Sequence, residues 1–261
     1  MSDRMFLKDL LKPHRIAMAA VAGGLALLMA INMDWSWLPK YAPDILRALW
    51  ITMALLAGSI VIGFLLAVPI GLVQVTGPRP LSLLAKTFCT LIRGTPILLQ
   101  MWVLYYGLGS LFPYLPGLRG SWIWPFLIES WPYALVALTL SFAGYEGEVM
   151  RGAFKGVPRG ELEAARAMGM HPLTILRRIW LPRAVQRVLP TLGGELILQL
   201  KATPLVATIA VVDIYAVFGR IRQETFITYE PLLMLALIYL LLAGSITFAM
   251  RLLEMKLPIS R

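Results

Sequence analysis

Charge is scarce in this chain. Asp, Glu, Lys and Arg make up 15% of its 261 residues, against roughly a quarter in soluble domains. So little charge beside 59% hydrophobic residues describes a membrane protein. Cysteine is scarcer still. Cys89 stands alone, so no internal disulfide can form, and a small buried hydrophobe is expected there. The two histidines, His14 and His171, sit beside Pro13 and Pro172 without metal-ligand spacing. No G-x-x-x-x-G-K-S/T loop occurs, so this chain is not expected to hydrolyse a nucleotide. Nor does it contain H-E-x-x-H, G-x-S-x-G or an Asp pair within its apolar runs. A membrane enzyme would need a constellation of that kind.

What is abundant is uncharged, apolar sequence. Uncharged runs cover 16–33, 48–78, 94–118, 130–145 and 231–250, and a sixth apolar segment, about 188–212, is interrupted by Glu195 and Lys201. A span needs roughly 20 apolar residues, so six spans are expected. The run 48–78 exceeds one upright span and should tilt or project. The run 130–145 is short and should continue through Glu146 and Glu148, the latter pairing with Arg151 at i+3. "MSDRMFLKDLLKPHR" is basic and lacks a following A-x-A site; the expectation is an uncleaved anchor helix.

The net charge of +10 reports orientation and contact with membrane lipid, not nucleic acid. With the N-terminus inside, the inner segments hold eighteen Lys and Arg and the outer segments five. The positive-inside rule then puts both termini in the cytoplasm. Trp35, Trp37, Trp122, Trp124 and Trp131 fall at outer edges, as an aromatic belt would. Ser59, Gly63, Ala67 and Gly71 place a small residue every fourth position, a face for close helix packing. Pro69 is a candidate kink.

The largest inner loop contains "ELEAARAMGMHPLTILRRIWLP" (Glu161 to Pro182). Pro158 suits a first helical turn, "ELEAARAM" favours helix, and Gly169 is a natural stop. Pro172 can start a second helix with Ile175, Leu176, Ile179 and Trp180 on one face and Arg177 and Arg178 on the other. Pro182 should end or bend it. This hairpin could lie on anionic lipid, pack on its own bundle, or offer a helix to a cytoplasmic partner.

Glu163, Ala164, Ala165, Gly169, Ile179 and Leu181-Pro182, at this spacing, resemble the EAA loop of bacterial ABC importer permeases. "RGTPILLQMWVLYYG" (Arg93 to Gly107) is similar to a segment of the polar amino acid and opine branch, which includes histidine and arginine permeases. The resemblance runs from about Asp44 to the end. It implies an all-α polytopic membrane fold in the bacterial inner membrane: residues 1–43 form an N-terminus and extra anchor helix, and 44–261 a five-helix permease domain with a coupling loop at about 152–187. It implies that Glu161, Glu163, Ala164, Ala165, Gly169, His171 and Pro172 meet an ATPase subunit. It further implies a dimer of ATPases, a second permease chain (copy or paralogue) and an external substrate-binding protein. ATP and Mg would reside on the ATPase, and this chain would carry no cofactor and no catalytic residue. An ATP-independent channel or carrier is the alternative, but it gives no reason for the hairpin.

Two features mark a substrate path. Gly94-Thr95-Pro96 should break the third span, freeing backbone groups and the Thr95 hydroxyl, with Gln100 one turn deeper. Transporters place substrate at such breaks; the alternative is a packing kink whose polar groups are satisfied within the protein. Glu195 lies within an apolar segment, where an unpaired ionised carboxylate costs about 3 kcal/mol or more. Lys201 is six residues on, about 600° around the helix, and so points elsewhere. Gln199, at i+4, could bond Glu195, or Glu195 could meet the cationic group of a substrate. In similar arginine permeases this position and one seven residues later are acidic. Here the later position is Ala202, beside Thr203, which fits a neutral amino acid, an opine or a betaine-like solute as well. The acidic and basic segment from Phe218 to Pro231 should form an outer element.

Overall fold

A computed structural model gives the fold, and its described residues are 23, 24, 31, 33–115 and 117–256. The expected anchor helix over 16–33 falls almost wholly outside them. Every regular element among the described residues is helical.

The first long helix, α1 (Leu38–Thr76), starts ten residues before the uncharged run and has 39 residues. Pro69 lies inside it without dividing it. The N–H of Gly77 caps it on the Val73 carbonyl, and Pro78, in extended conformation, starts α2 (Arg79–Gly94). The second break comes at Thr95-Pro96, where the chain turns by 104°. It resumes as α3 (Ile97–Trp102), a π turn (Val103–Gly107), α4 (Leu108–Leu111) and a 3-10 turn (Phe112–Tyr114). Short turns and α5 (Trp124–Leu127) lead to α6 (Trp131–Gly156).

α6 is the central helix, and small residues decide how closely its neighbours approach. A Cβ on Gly63 of α1 would stand 2.9 Å from the Phe142 ring, and one on Gly71 2.6 Å from Met150 Cβ. Ser59 and Ala67, on the same stripe, are fully buried. The complementary glycines lie on α6. A Cβ on Gly144 would meet Ile92 of α2 at 2.5 Å, and one on Gly147 would meet Ile70 of α1 at 2.7 Å. Cys89 is buried beside Gly147, with Gln74 Nε2 3.4 Å from its sulfur.

After α6 come α7 (Arg159–Ala167), α8 (Pro172–Ile175), a π turn (Leu176–Trp180) and α9 (Leu181–Ala202). Pro182 does not end the helix, which continues through it. The wide π turn just before it relaxes the packing that the proline ring would otherwise strike. α9 passes into a 3-10 segment (Thr203–Ile209) and stops at Ala210, whose φ is +66°. Asp213 then caps α10 (Ile214–Thr225) by accepting from the Ala216 N–H at 2.9 Å. The last helix is α11 (Tyr229–Lys256).

Two helices among the described residues, Leu38–Thr76 and Tyr229–Met255, are long and apolar enough to cross a membrane, or up to four spans if each bent pair counts as one. The expected count of six is therefore not reproduced here: the anchor is outside the described residues, and α6 ends in Glu146, Glu148, Arg151 and Lys155. Trp37 also departs from the aromatic-belt expectation. It is buried with Tyr41, Ile45 and Phe218, its ring edge-on to Phe218 at 6.2 Å. The reason is α10, which folds back on the start of α1. An Arg220–Asp44 ion pair and a 2.7 Å bond from the Tyr41 hydroxyl to Glu224 fasten it there.

Candidate functional site

The helix break and α9 enclose a cavity of about 450 Å³, the size range of small-solute sites. α2 and α3 contribute Arg93, Thr95, Pro96 and Ile97; α6 contributes Ser141, Phe142 and Tyr145; α9 contributes Glu195, Leu198, Gln199 and Ala202. Thr95, Pro96 and Glu195, far apart in sequence, thus meet on one wall system. Gln199 does not bond Glu195. Its Nε2 donates to Ser59 Oγ at 3.0 Å and to the Leu138 carbonyl at 2.9 Å, tying α9 to α1 and α6.

Two residues expected on the path, Gln100 and Thr203, are not among those lining this cavity. Gln100 turns back across the break: its Nε2 donates to the carbonyls of Ile92 (2.9 Å) and Thr95 (3.0 Å) and to Thr95 Oγ1 (3.0 Å). Pro96 lacks the N–H that the Ile92 carbonyl would have met, and the Gln100 amide replaces it. Thr203 is fully buried and hydrogen-bonded to the Leu200 carbonyl and the Tyr239 hydroxyl, so it faces α11 and not the cavity. Conversely, Arg93, Ser141 and Tyr145 line the cavity but were not singled out. Arg93 had a visible signal, since it directly precedes Gly94-Thr95-Pro96.

Glu146 was expected to be one of two carboxylates ending a span. Glu148 does pair with Arg151. Glu146 is fully buried, and neither carboxylate oxygen has a hydrogen-bond partner among the described residues.

The hairpin closes as its glycine requires. Gly169 has φ +74°, a conformation open to glycine at little cost. It allows Gly169 N–H to reach the Arg166 carbonyl (2.9 Å) and Met170 N–H the Ala165 carbonyl (3.2 Å), the paired bonds of a Schellman stop. His171 then caps α8, its Nδ1 accepting from the Leu173 N–H at 3.3 Å. Glu163, Ala164, Gly169, His171 and Pro172 are exposed, as are Met168 and Leu173. Glu161 and Ala165 differ from the expected outward face. Ala165 is fully buried, and Glu161 accepts from Arg183 Nε of α9 at 3.0 Å. Positions 161, 162 and 165 share the helix face that rests on the bundle.

Comparison with known proteins decides the family. Residues 59–257 match the model of the binding-protein-dependent transport system inner membrane component. The chain belongs to that family. It is thus a membrane permease subunit and not an enzyme. Among relatives of this permease, an octopine transport system permease protein of Rhizobium meliloti is 39% identical over 203 residues, 74% of this chain and 81% of that one. An arginine transport system permease protein of Bacillus subtilis is 31% identical over 227 residues, 87% of this chain and 98% of that one. The permease fold also superposes on a crystal structure of an amino acid ABC transporter with histidines, with TM-score 0.72 and 28% identity over 87% of this chain and all of that one.

Proposed function

We propose that this permease carries a polar amino acid or opine inward by alternating access, driven by a separate ATPase dimer that holds ATP and Mg. A second permease chain completes the path, and an external binding protein delivers the solute. Both termini lie in the cytoplasm, and 44–261 form the permease domain. The observation that carries this reading is the cavity, where Glu195 faces a proline-broken helix. Transporters place solutes at broken helices, and an intramembrane carboxylate is matched to a cationic group. The relatives' solutes, octopine and arginine, contain such a group. The exposed tip from Glu163 to Pro172 is the contact for the ATPase. Closure of the ATPases moves it, and through it the helices attached.

The test is reconstitution of the permease with its ATPase in proteoliposomes, measuring binding-protein-stimulated ATP hydrolysis and uptake of octopine and arginine. Glu195→Gln is expected to lower uptake about tenfold while ATPase assembly is kept. Uptake that proceeds without ATPase or ATP overturns the ATP-driven reading.

A further inference from the structure

The cavity holds a positive group as well as a negative one. Arg93, at the end of α2, and Glu195, on α9, line the same 450 Å³ space. Among the described residues neither is in an ion pair, with the other or with any third group. Two opposite charges held in one cavity without neutralising each other form a dipolar receptor. The Arg93 guanidinium lies over the Tyr145 ring, 5.6 Å from its centroid. That contact holds the guanidinium beside the ring, and a guanidinium carries the fork of donors that grips a carboxylate. A lysine ammonium would carry the charge without the fork. The neighbouring groups are consistent in kind: Thr95 and Ser141 add hydroxyl-bearing residues to the lining, and Phe142, Leu198 and Ala202 add apolar ones.

From this arrangement we infer that Arg93, seated on Tyr145, is a specificity-determining residue that binds a carboxylate of the transported solute, while Glu195 takes its cationic end. The inference rests on the amino acid or opine reading above and sharpens it. The preferred cargo bears at least one free carboxylate in addition to its positive group.

The test is equilibrium binding to the detergent-purified permease–ATPase complex without the external binding protein. The probes are octopine and its dimethyl ester, which share a skeleton and differ in carboxylate charge. Wild type is expected to prefer octopine by about tenfold or more, the span of a charge-assisted hydrogen-bonded pair. Arg93→Gln should abolish that preference, and Arg93→Lys should keep part of it. Glu195→Gln should weaken both probes. Preference that survives in Arg93→Gln, or an equal loss for both probes, overturns the role of Arg93 alone. Wild type that binds neither probe overturns the amino acid and opine reading itself. Co-purification with the ATPase checks folding. If Arg93→Gln does not assemble, Tyr145→Leu carries the test: reduced preference supports the seat, and unchanged preference overturns it.

Discussion

On the side of α6 that meets α1, glycine sets the spacing. Gly63 and Gly71 bring backbone against backbone and leave no room even for a methyl group. On the side that meets α9 and the α2–α3 break, only Gly144 packs so closely, against Ile92, and Ser141, Phe142 and Tyr145 line the cavity. One helix is therefore a fixed post on one side and a wall on the other. The difference teaches where the fold keeps its rigidity: the seam of small residues holds α6 still, so that polar groups can be spaced on its far side without collapse.

The largest break in that comparison is expected from Gly71→Leu. Its first side-chain atom would sit 2.6 Å from Met150 Cβ and 2.9 Å from the Arg151 nitrogen, and backbone cannot step aside. Overpacking of this kind costs about 3 kcal/mol or more. Size-exclusion chromatography in detergent should show loss of the monodisperse protein. Gly194→Ala on α9, where nothing lies within 4 Å, should leave the profile unchanged; equal damage from both would contradict the seam.

A smaller effect is expected away from both sides, at the hairpin. Gly169→Ala meets no atom within 4 Å but must adopt φ +74°, at about 1 kcal/mol. Its thermal midpoint should fall modestly and stimulated ATP hydrolysis should fall with it. Full coupling at normal stability would remove Gly169 from the hinge.

The smallest effect, of opposite sign, is expected at Glu146→Gln. Replacing a fully buried carboxylate without a hydrogen-bond partner by a neutral amide of the same shape should raise thermal stability slightly, by up to about 1 kcal/mol. A lower midpoint would show that the carboxylate stabilises the fold through a contact of its charged form.

The features legible in the sequence are those set by local repetition or by glycine. The every-fourth small stripe from Ser59 to Gly71 announced a close seam, and Gly169 announced the turn of the hairpin. The features that were not legible depend on how a helix is rotated by its neighbours. Gln100 and Thr203 carry groups suited to a solute, yet packing turns one onto the Ile92 carbonyl and the other onto Tyr239. Trp37 reads as an interfacial residue until α10 folds over it. Arg93 reads as one more inner positive charge, because only the 104° bend brings it to the cavity.

The helix from Pro172 to Ala202 runs unbroken through its π turn. Its 31 residues extend about 45 Å at 1.5 Å each. The exposed tip of the hairpin sits at one end and Glu195 near the other, and Arg183 bolts the preceding helix to the same shaft. A stiff shaft has little slack along its axis. A push or twist delivered at His171 would therefore travel along it toward the carboxylate, less what the π turn and Pro190 absorb. Under the proposed function, grip on the solute and motion of the loop would be two readings of one lever's position.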